Sequence, residues 1–238
     1  MGRNGTEDEV TNRFLLALPR AIRDETLSHV DPVEFPKGHI IYRVGAPVEH
    51  LYFVNRGLIS LVKNMEDGRS IEIGAIGIEG FLGIFALYDD GLRTAIVESM
   101  VQIPIKAFAI KLNTLKSKMM RHDAFREGVN KYHYLVVCQL AQNAACNCLH
   151  SLEERCCRWL LVASDSALAD NFPLTHELLA MLLGVHRPSV STVTATLQRA
   201  GLIRYVHGQV TIVDRIGIEK QACECYRALR EQTDHLFG

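Results

Sequence analysis

Residues 123–150 read DAFREGVNKYHYLVVCQLAQNAACNCLH, with no proline and with Gly128 as the only glycine. Nothing in this segment stops a helix. Phe125, Val129, Tyr132, Val136, Leu140 and Ala144 recur at steps of three and four, which aligns them along one side of about seven helical turns. A rod about 40 Å long at 1.5 Å per residue constrains everything around it. It must bury its apolar stripe, and it holds the chain segments at its two ends apart. A second copy of itself in a homodimer is the expected partner for the stripe. The alternative is packing along the chain's own preceding domain.

The text before the rod is mostly β. Residues 8–30 suggest a helical lead-in. From Val33 to about Lys106, the runs HIIYRV, LYFV, LISLVKN, SIEIGAI, TAIVES and VQIPI are separated by the turn signals PKG, NRG, EDG, GIEG and DDG. Many short strands at such spacing predict a sandwich, roll or barrel. FAIKLNTL, residues 108–115, then reads as a short closing helix.

After His150 the text is helical again. SLEERCCRWLLVAS puts Leu152, Cys156, Trp159 and Leu160 on one face, ADNFP breaks it, and Thr175 is a good N-cap for HELLAMLLG. IRYV, His207-Gly208 and QVTIV form a hairpin in which Gly208 supplies positive φ. Asp214 caps a last helix running through ACECYRALREQ.

Between Gly184 and the hairpin lies SVSTVTAT, whose Val and Thr content reads like a strand. Its neighbours favour a helix, since Val190, Val193 and Leu197 then share a buried face and Pro188 falls in the first turn. Two short helices, a Gly turn and a hairpin make a winged helix-turn-helix. The charge pattern agrees with a nucleic-acid surface. The net charge is only −1, yet no acid occurs between Glu177 and Asp214, whereas His186, Arg187, Arg199, Arg204 and His207 do. Arg187, Pro188, Ser189, Ser191 and Thr192 are the expected contacts at the helix end that enters the major groove. Arg187 has the fork that pairs with guanine. Ser189 and Ser191 suit phosphate, Thr192 a thymine methyl or phosphate, and Arg204 and His207 on the wing the backbone.

The order of these parts resembles the CRP/FNR superfamily of bacterial transcription regulators. FPKGHIIYRVGAPVEHLYFVNRGLISLVK, residues 35–63, is similar to the opening of its sensor domain, and LTHELLAMLLGVHRPSVSTVTATLQRAGLI to its helix-turn-helix signature. The expected architecture is therefore α+β. A cyclic-nucleotide-binding-like, double-stranded β-roll sensor with its lead-in (1–122) precedes a dimerisation helix (123–150) and a winged helix-turn-helix DNA-binding domain (151–238). The resemblance implies a homodimer that binds a palindromic operator in double-stranded DNA and contacts RNA polymerase. Neither a signal peptide nor a membrane span is expected, so the expected compartment is the cytoplasm.

In the family's nucleotide-binding members the cassette reads Phe-x-Gly-Glu, then Arg-Ser/Thr-Ala. Here it is FLGIFALYDDGLRTA, so Phe81, Gly83, Arg93 and Thr94 fit, but Ile84 replaces the ribose-binding carboxylate. Leu140 and Ala141 stand where hydroxyl residues would meet the base. A ribose hydroxyl left without its acceptor is poorly tolerated in a buried site. Cyclic AMP is therefore not expected, and Phe81, Gly83, Ile84, Arg93, Thr94 and Leu140 outline a pocket for an unidentified effector or none. Arg93 has an alternative role in a surface ion pair with Asp89 or Asp90.

Seven cysteines invite a metal or redox reading. Cluster-binding members carry an N-terminal Cys group, whereas the first here is Cys138, so no iron–sulfur cluster is expected. Within continuous helices CNC and CEC point their thiols about 200° apart, so neither pair chelates. Cys146 and His150 share a face at metal-ligand spacing, but two ligands make no site, and no metal is assigned. A metal- or redox-responsive regulator using Cys146, His150 and neighbouring thiols is the alternative. A ligand-binding module without DNA binding is another. An enzyme is not expected, since no CxxC or Cys-His-Asp grouping occurs.

Overall fold

The computed structural model describes residues 9–87 and 93–238. The lead-in forms two short helices, α1 (Arg13–Ala17) and α2 (Arg20–Leu27), divided at Pro19. Asn12 caps α1 by accepting from the Leu15 N–H at 3.0 Å, and its amide donates to the Val54 and Gly80 carbonyls at 2.8 and 2.7 Å. One buried side chain thus pins the lead-in to the neighbouring sheet domain.

That domain is a six-stranded antiparallel sheet of β1 (Asp31–Phe35), β2 (Ile40–Tyr42), β3 (His50–Asn64), β4 (Ser70–Ile76), β5 (Phe81–Leu82) and β6 (Glu98–Lys111). The strand path is β1-β6-β3-β4, with β2 on β6 and β5 on β3. LYFV and LISLVKN are one strand, so the turn expected at NRG does not form. Gly57 sits there at φ +92°, and a Cβ on it would lie 2.2 Å from the Pro104 carbonyl oxygen. The β3–β6 register shifts on both sides of it, so the NRG signal marks a bulge. The short helix expected at 108–115 also starts late. Residues 108–111 complete β6, which bonds to β1 and β3 on its two sides, and α3 spans Leu112–Arg121.

The rod is α4, Asp123–Leu149, 27 residues long. Its stripe does not wait for a second copy. Phe125, Val129, Tyr132 and Val136 are buried in the roll's own core with Phe14, Phe53 and Phe81, so the self-partner expectation for this stripe is overturned. The reason is the aromatic bed beneath it. Phe14 meets Phe125 edge-on at 5.6 Å, and Tyr132 lies 4.7 Å from Phe81 and donates to its carbonyl at 3.0 Å. Gly80 makes room, since a Cβ there would stand 1.9 Å from the Tyr132 ring. Farther along, Leu140 is half-buried and Ala144 exposed. The outward side of α4 carries a second row, which the first stripe meets at Ala144. Tyr134 and Val137 are 57% and 49% exposed, and Ala141, Ala144 and Cys148 continue it, at steps of three, four, three and four.

α5 (Leu152–Ala167) comes after His150 and Ser151, both extended. Ser151 and Glu154 close a capping box. Then come β7 (Asn171–Pro173), α6 (His176–Leu183), α7 (Arg187–Arg199), β8 (Ile203–Val206) and β9 (Gln209–Ile212). The wing has three strands in the order β7-β9-β8, so ADNFP ends in an edge strand. The core under these elements also takes in Leu58, Ala75 and Ile103 of the large sheet, which seats the helix-turn-helix against the roll. The single last helix expected after Asp214 is two, α8 (Arg215–Gln221) and α9 (Cys225–Phe237), because Ala222 is extended at φ −73°, ψ 148°.

Candidate nucleic-acid interface and sensing sites

The turn between α6 and α7 is built as its residues dictate. Thr175 accepts from the Leu178 N–H at 3.2 Å, and Gly184 closes α6 in the left-handed region at φ +64°. Pro188 lies in the first turn of α7. Val190 and Leu197 are buried, but Thr194 takes the inner position that Val193 was expected to fill, and Val193 is half-buried. The Thr194 hydroxyl is satisfied by the Val190 carbonyl at 2.9 Å.

Arg187, Pro188, Ser189 and Thr192 are exposed at the outer, N-terminal end of α7. Arg187 Nε lies 2.8 Å from Glu177 Oε1, with the two side chains 63% and 62% exposed. Pairs this open contribute about 0–1 kcal/mol, so a bidentate guanine, at about 1–3 kcal/mol, would outcompete the carboxylate. Ser191, expected to face phosphate, is half-buried and held at 3.0 Å from His176 Nδ1. His176 Nε2 meets the Thr194 hydroxyl at 3.0 Å, and its ring stacks on Tyr205 at 4.4 Å. Burial, helped by Arg187, lowers the His176 pKa, which favours a neutral ring clamping α6, α7 and the wing. Its sequence neighbours carry no signal for that role. Arg204 and His207 are exposed on the wing. His207 and Gly208 take φ +50° and +74°, so both turn residues are left-handed, as the tightest hairpins require. Arg199, exposed in the last turn of α7, adds a cation not assigned from the sequence.

The β-roll cavity is about 40 Å3 and is lined by Gly83, Ile84, Thr94, Leu61, Val97 and Val136 among others. Ligand pockets usually run to about 300–1,000 Å3, so this one has been filled from within by apolar side chains. Phe81 is buried in the aromatic core. Arg93 turns away, with Nη1 3.5 Å from Asn113 Oδ1. Leu140 packs over Gly74 instead. Of the six expected pocket residues, Gly83, Ile84 and Thr94 therefore line one cavity, whereas Phe81, Arg93 and Leu140 do not join them. Asp89 and Asp90, the alternative partners of Arg93, lie outside the described residues. A second cavity of about 130 Å3 lies where α4, α5, α9 and the sheet meet, lined by Glu72, Tyr132, Gln139, Asn143, Arg158 and Trp159 among others.

The thiols divide into groups. Cys156 and Cys157 are buried in the α5 core, where burial pushes the Cys157 thiol up to about 12 and that of Cys156 higher still. Cys146 and His150 do share a face, and the break at Ala222 brings Cys223 and Cys225 to them. All four ligand atoms lie within 4.8 Å of one another. The divergence expected for CEC assumed one continuous helix, and the break removes it. A hydrogen bond from Cys223 chiefly pulls the Cys146 thiol down, to about 5, while Cys223 is pushed far up.

The family profile of the cyclic nucleotide-binding domain matches residues 32–122, and that of the Crp-like helix-turn-helix domain matches residues 154–220. The chain is 24% identical over 211 residues to a CRP-like cAMP-activated global transcriptional regulator of Mycobacterium tuberculosis, covering 86% of this chain and 93% of that one. It is 26% identical over 194 residues to the transcriptional regulator LdrP of Thermus thermophilus, covering 79% and 95%. In fold it is similar to FixK2 from Bradyrhizobium japonicum, with a TM-score of 0.68 at 16% identity over 82% of this chain and 98% of that one. A CRP-family regulator from Thermus thermophilus gives 0.66 at 24% identity over 80% and 96%. Among the described residues no helix is long and apolar enough to cross a membrane. With a cyclic-nucleotide-binding-type sheet domain, a connecting rod and a Crp-like helix-turn-helix in this order, the chain belongs to the CRP/FNR superfamily of DNA-binding transcription regulators.

Proposed function

We propose that this regulator acts as a homodimer that reads a two-fold operator in a sequence-specific way. Residues 1–122 serve as sensor, 123–150 as dimer rod and 151–238 as DNA-binding head. The observation that carries the reading is the exposed N-terminal end of α7, where Arg187, Pro188, Ser189 and Thr192 are presented from a segment that carries no acid between Glu177 and Asp214. Arg187 reads a guanine, Ser189 and Thr192 fix the helix on phosphate or a thymine methyl, and Arg204 and His207 track the backbone beside it. Ser191 acts indirectly, by setting His176. The outer row of α4, Tyr134 to Cys148, has the alternating three-four spacing of a two-helix seam, which supports dimerisation through the face the roll leaves open. Small Ala residues in that row let two helices approach closely. An effector of unidentified chemistry acts through the roll and α4, and RNA polymerase is the further partner implied by family membership.

Fluorescence anisotropy with an operator selected from random DNA tests this. Arg187→Ala should weaken specific binding by about 5- to 150-fold, equivalent to 1–3 kcal/mol, and relax the preference at one base pair of each half-site. Arg204→Ala should weaken all sequences alike and flatten the salt dependence. Unchanged operator affinity in Arg187→Ala overturns the role given to that residue.

A further inference from the structure

Cys146, Cys223 and Cys225 form a buried group of their own, outside both apolar cores. A thiol used as a small hydrophobe sits among aliphatic neighbours, as Cys156 and Cys157 do. These three instead face one another and an imidazole. Cys146 Sγ lies 3.6 Å from Cys223 Sγ, and Cys225 Sγ lies 3.5 Å from His150 Nδ1. A tetrahedral zinc with bonds of 2.3 Å to sulfur and about 2.05 Å to nitrogen requires edges of about 3.8 Å (S–S) and about 3.6 Å (S–N). Two of the six edges are already at those lengths, and the others fall within 4.8 Å.

The surroundings fit the same group. His150 Nε2, the nitrogen facing away, lies 3.1 Å from Glu224 Oε2. Metal-bound imidazoles are commonly oriented by a carboxylate in this way. Gln142 Nε2 donates to Cys225 Sγ at 3.0 Å, which suits a sulfur that carries negative charge.

We propose that Cys146, His150 (through Nδ1), Cys223 and Cys225 bind one zinc-type divalent cation in a closed tetrahedral site. Such a site fastens the start of α9 to the last turn of α4. It lies beside residues 150–151, the two extended positions where the rod passes into the head. Four protein ligands leave no open position, which marks a structural clip rather than a catalytic centre. Each thiol still protonated releases its proton to solvent as its sulfur binds. Metal binding at this clip does not depend on DNA binding.

The test uses the reduced full-length protein titrated with Co2+ and Zn2+. The expected result is one ion per chain, a thiolate-to-cobalt charge-transfer band and the intense visible bands of tetrahedral cobalt, all displaced by Zn2+. Cys223→Ser and His150→Ala should lose the tetrahedral spectrum with unchanged far-ultraviolet circular dichroism, while Cys148→Ser, at an exposed thiol, should keep it. Glu224→Gln should weaken binding by about 10- to 100-fold. A reduced, folded protein that gives no cobalt spectrum overturns the proposal. So does a spectrum unchanged in both Cys223→Ser and His150→Ala. A Cys146–Cys223 disulfide that forms on exposure to dissolved oxygen, which takes up the two electrons and two protons, despite excess Zn2+ also overturns it, in favour of a redox pair.

Discussion

The two halves of α4 are held by different physics. Through Val136 the helix lies on an aromatic bed, with Phe125, Val129 and Tyr132 all but inaccessible to solvent. From residue 139 onward, Leu140 apart, the partners are mostly polar. Gln139 donates to the Ala75 carbonyl at 2.9 Å, and Asn143 bridges the Ile73 carbonyl at 3.0 Å and Arg158 at 2.9 Å. Gln142, Cys146 and His150 then turn to Cys223 and Cys225. Dense apolar packing resists rearrangement, because every displaced atom loses contacts on all sides. A polar contact nets only about 1 kcal/mol and can be exchanged for water or an ion. The first half is thus an anchor, and the second is held by contacts that exchange at lower cost.

The largest effect should come from the anchor. Phe125→Ala should cost about 3–5 kcal/mol of stability by urea unfolding. If it costs under about 1 kcal/mol, the contrast between the halves fails.

The next concerns Glu72, which is buried where the sheet meets α5 and is bonded to Ser60 and to Trp159 Nε1. Burial, outweighing Ser60, Arg158 and Trp159, pushes its carboxyl up to about 7. The folded chain therefore holds this proton to a higher pH than the unfolded chain does. The associated stability is complete below the ordinary carboxylate range and is lost as pH rises through about 7, roughly 3 kcal/mol in all. Glu72→Gln should remove that share of the pH dependence between about pH 4.5 and pH 8. Parallel stability–pH curves for the two proteins would show that Glu72 is already ionised without penalty.

The smallest concerns the outer row. Val137→Glu should leave unfolding of the subunit almost unchanged, within about 0.5 kcal/mol as for surface positions. It should also raise the dimer dissociation constant at least about tenfold, because like charges would face each other across the seam. Sedimentation of an undiminished dimer would move the interface elsewhere.

Much of this organisation was legible in the residues. The extent of α4, the caps at Thr175 and Asp214, and the turn at Gly184 arise from short-range chemistry that any chain segment carries with it. The helix-turn-helix was legible because Val190 and Leu197 needed the leucines of α6. Three features were not. The side of α4 facing the roll could not be told from the side facing out, since both carry apolar residues at helical spacing. NRG reads equally as a turn or a bulge until β6 is laid beside it. Cys223, which meets Cys146, lies 77 residues away, and no local pattern forecasts that the backbone extends at Ala222.

By itself, then, the sequence determined the order of the parts, the length of the rod and the end of α7 that carries the exposed polar residues. These depend on propensity, capping and periodicity, which act over a few residues. Only the tertiary structure decided which face of the rod the roll covers, that Ser191 and Thr194 turn inward to His176, and that three thiols and an imidazole meet. Those outcomes depend on which distant surfaces come into contact, and close packing settles them for the whole fold at once.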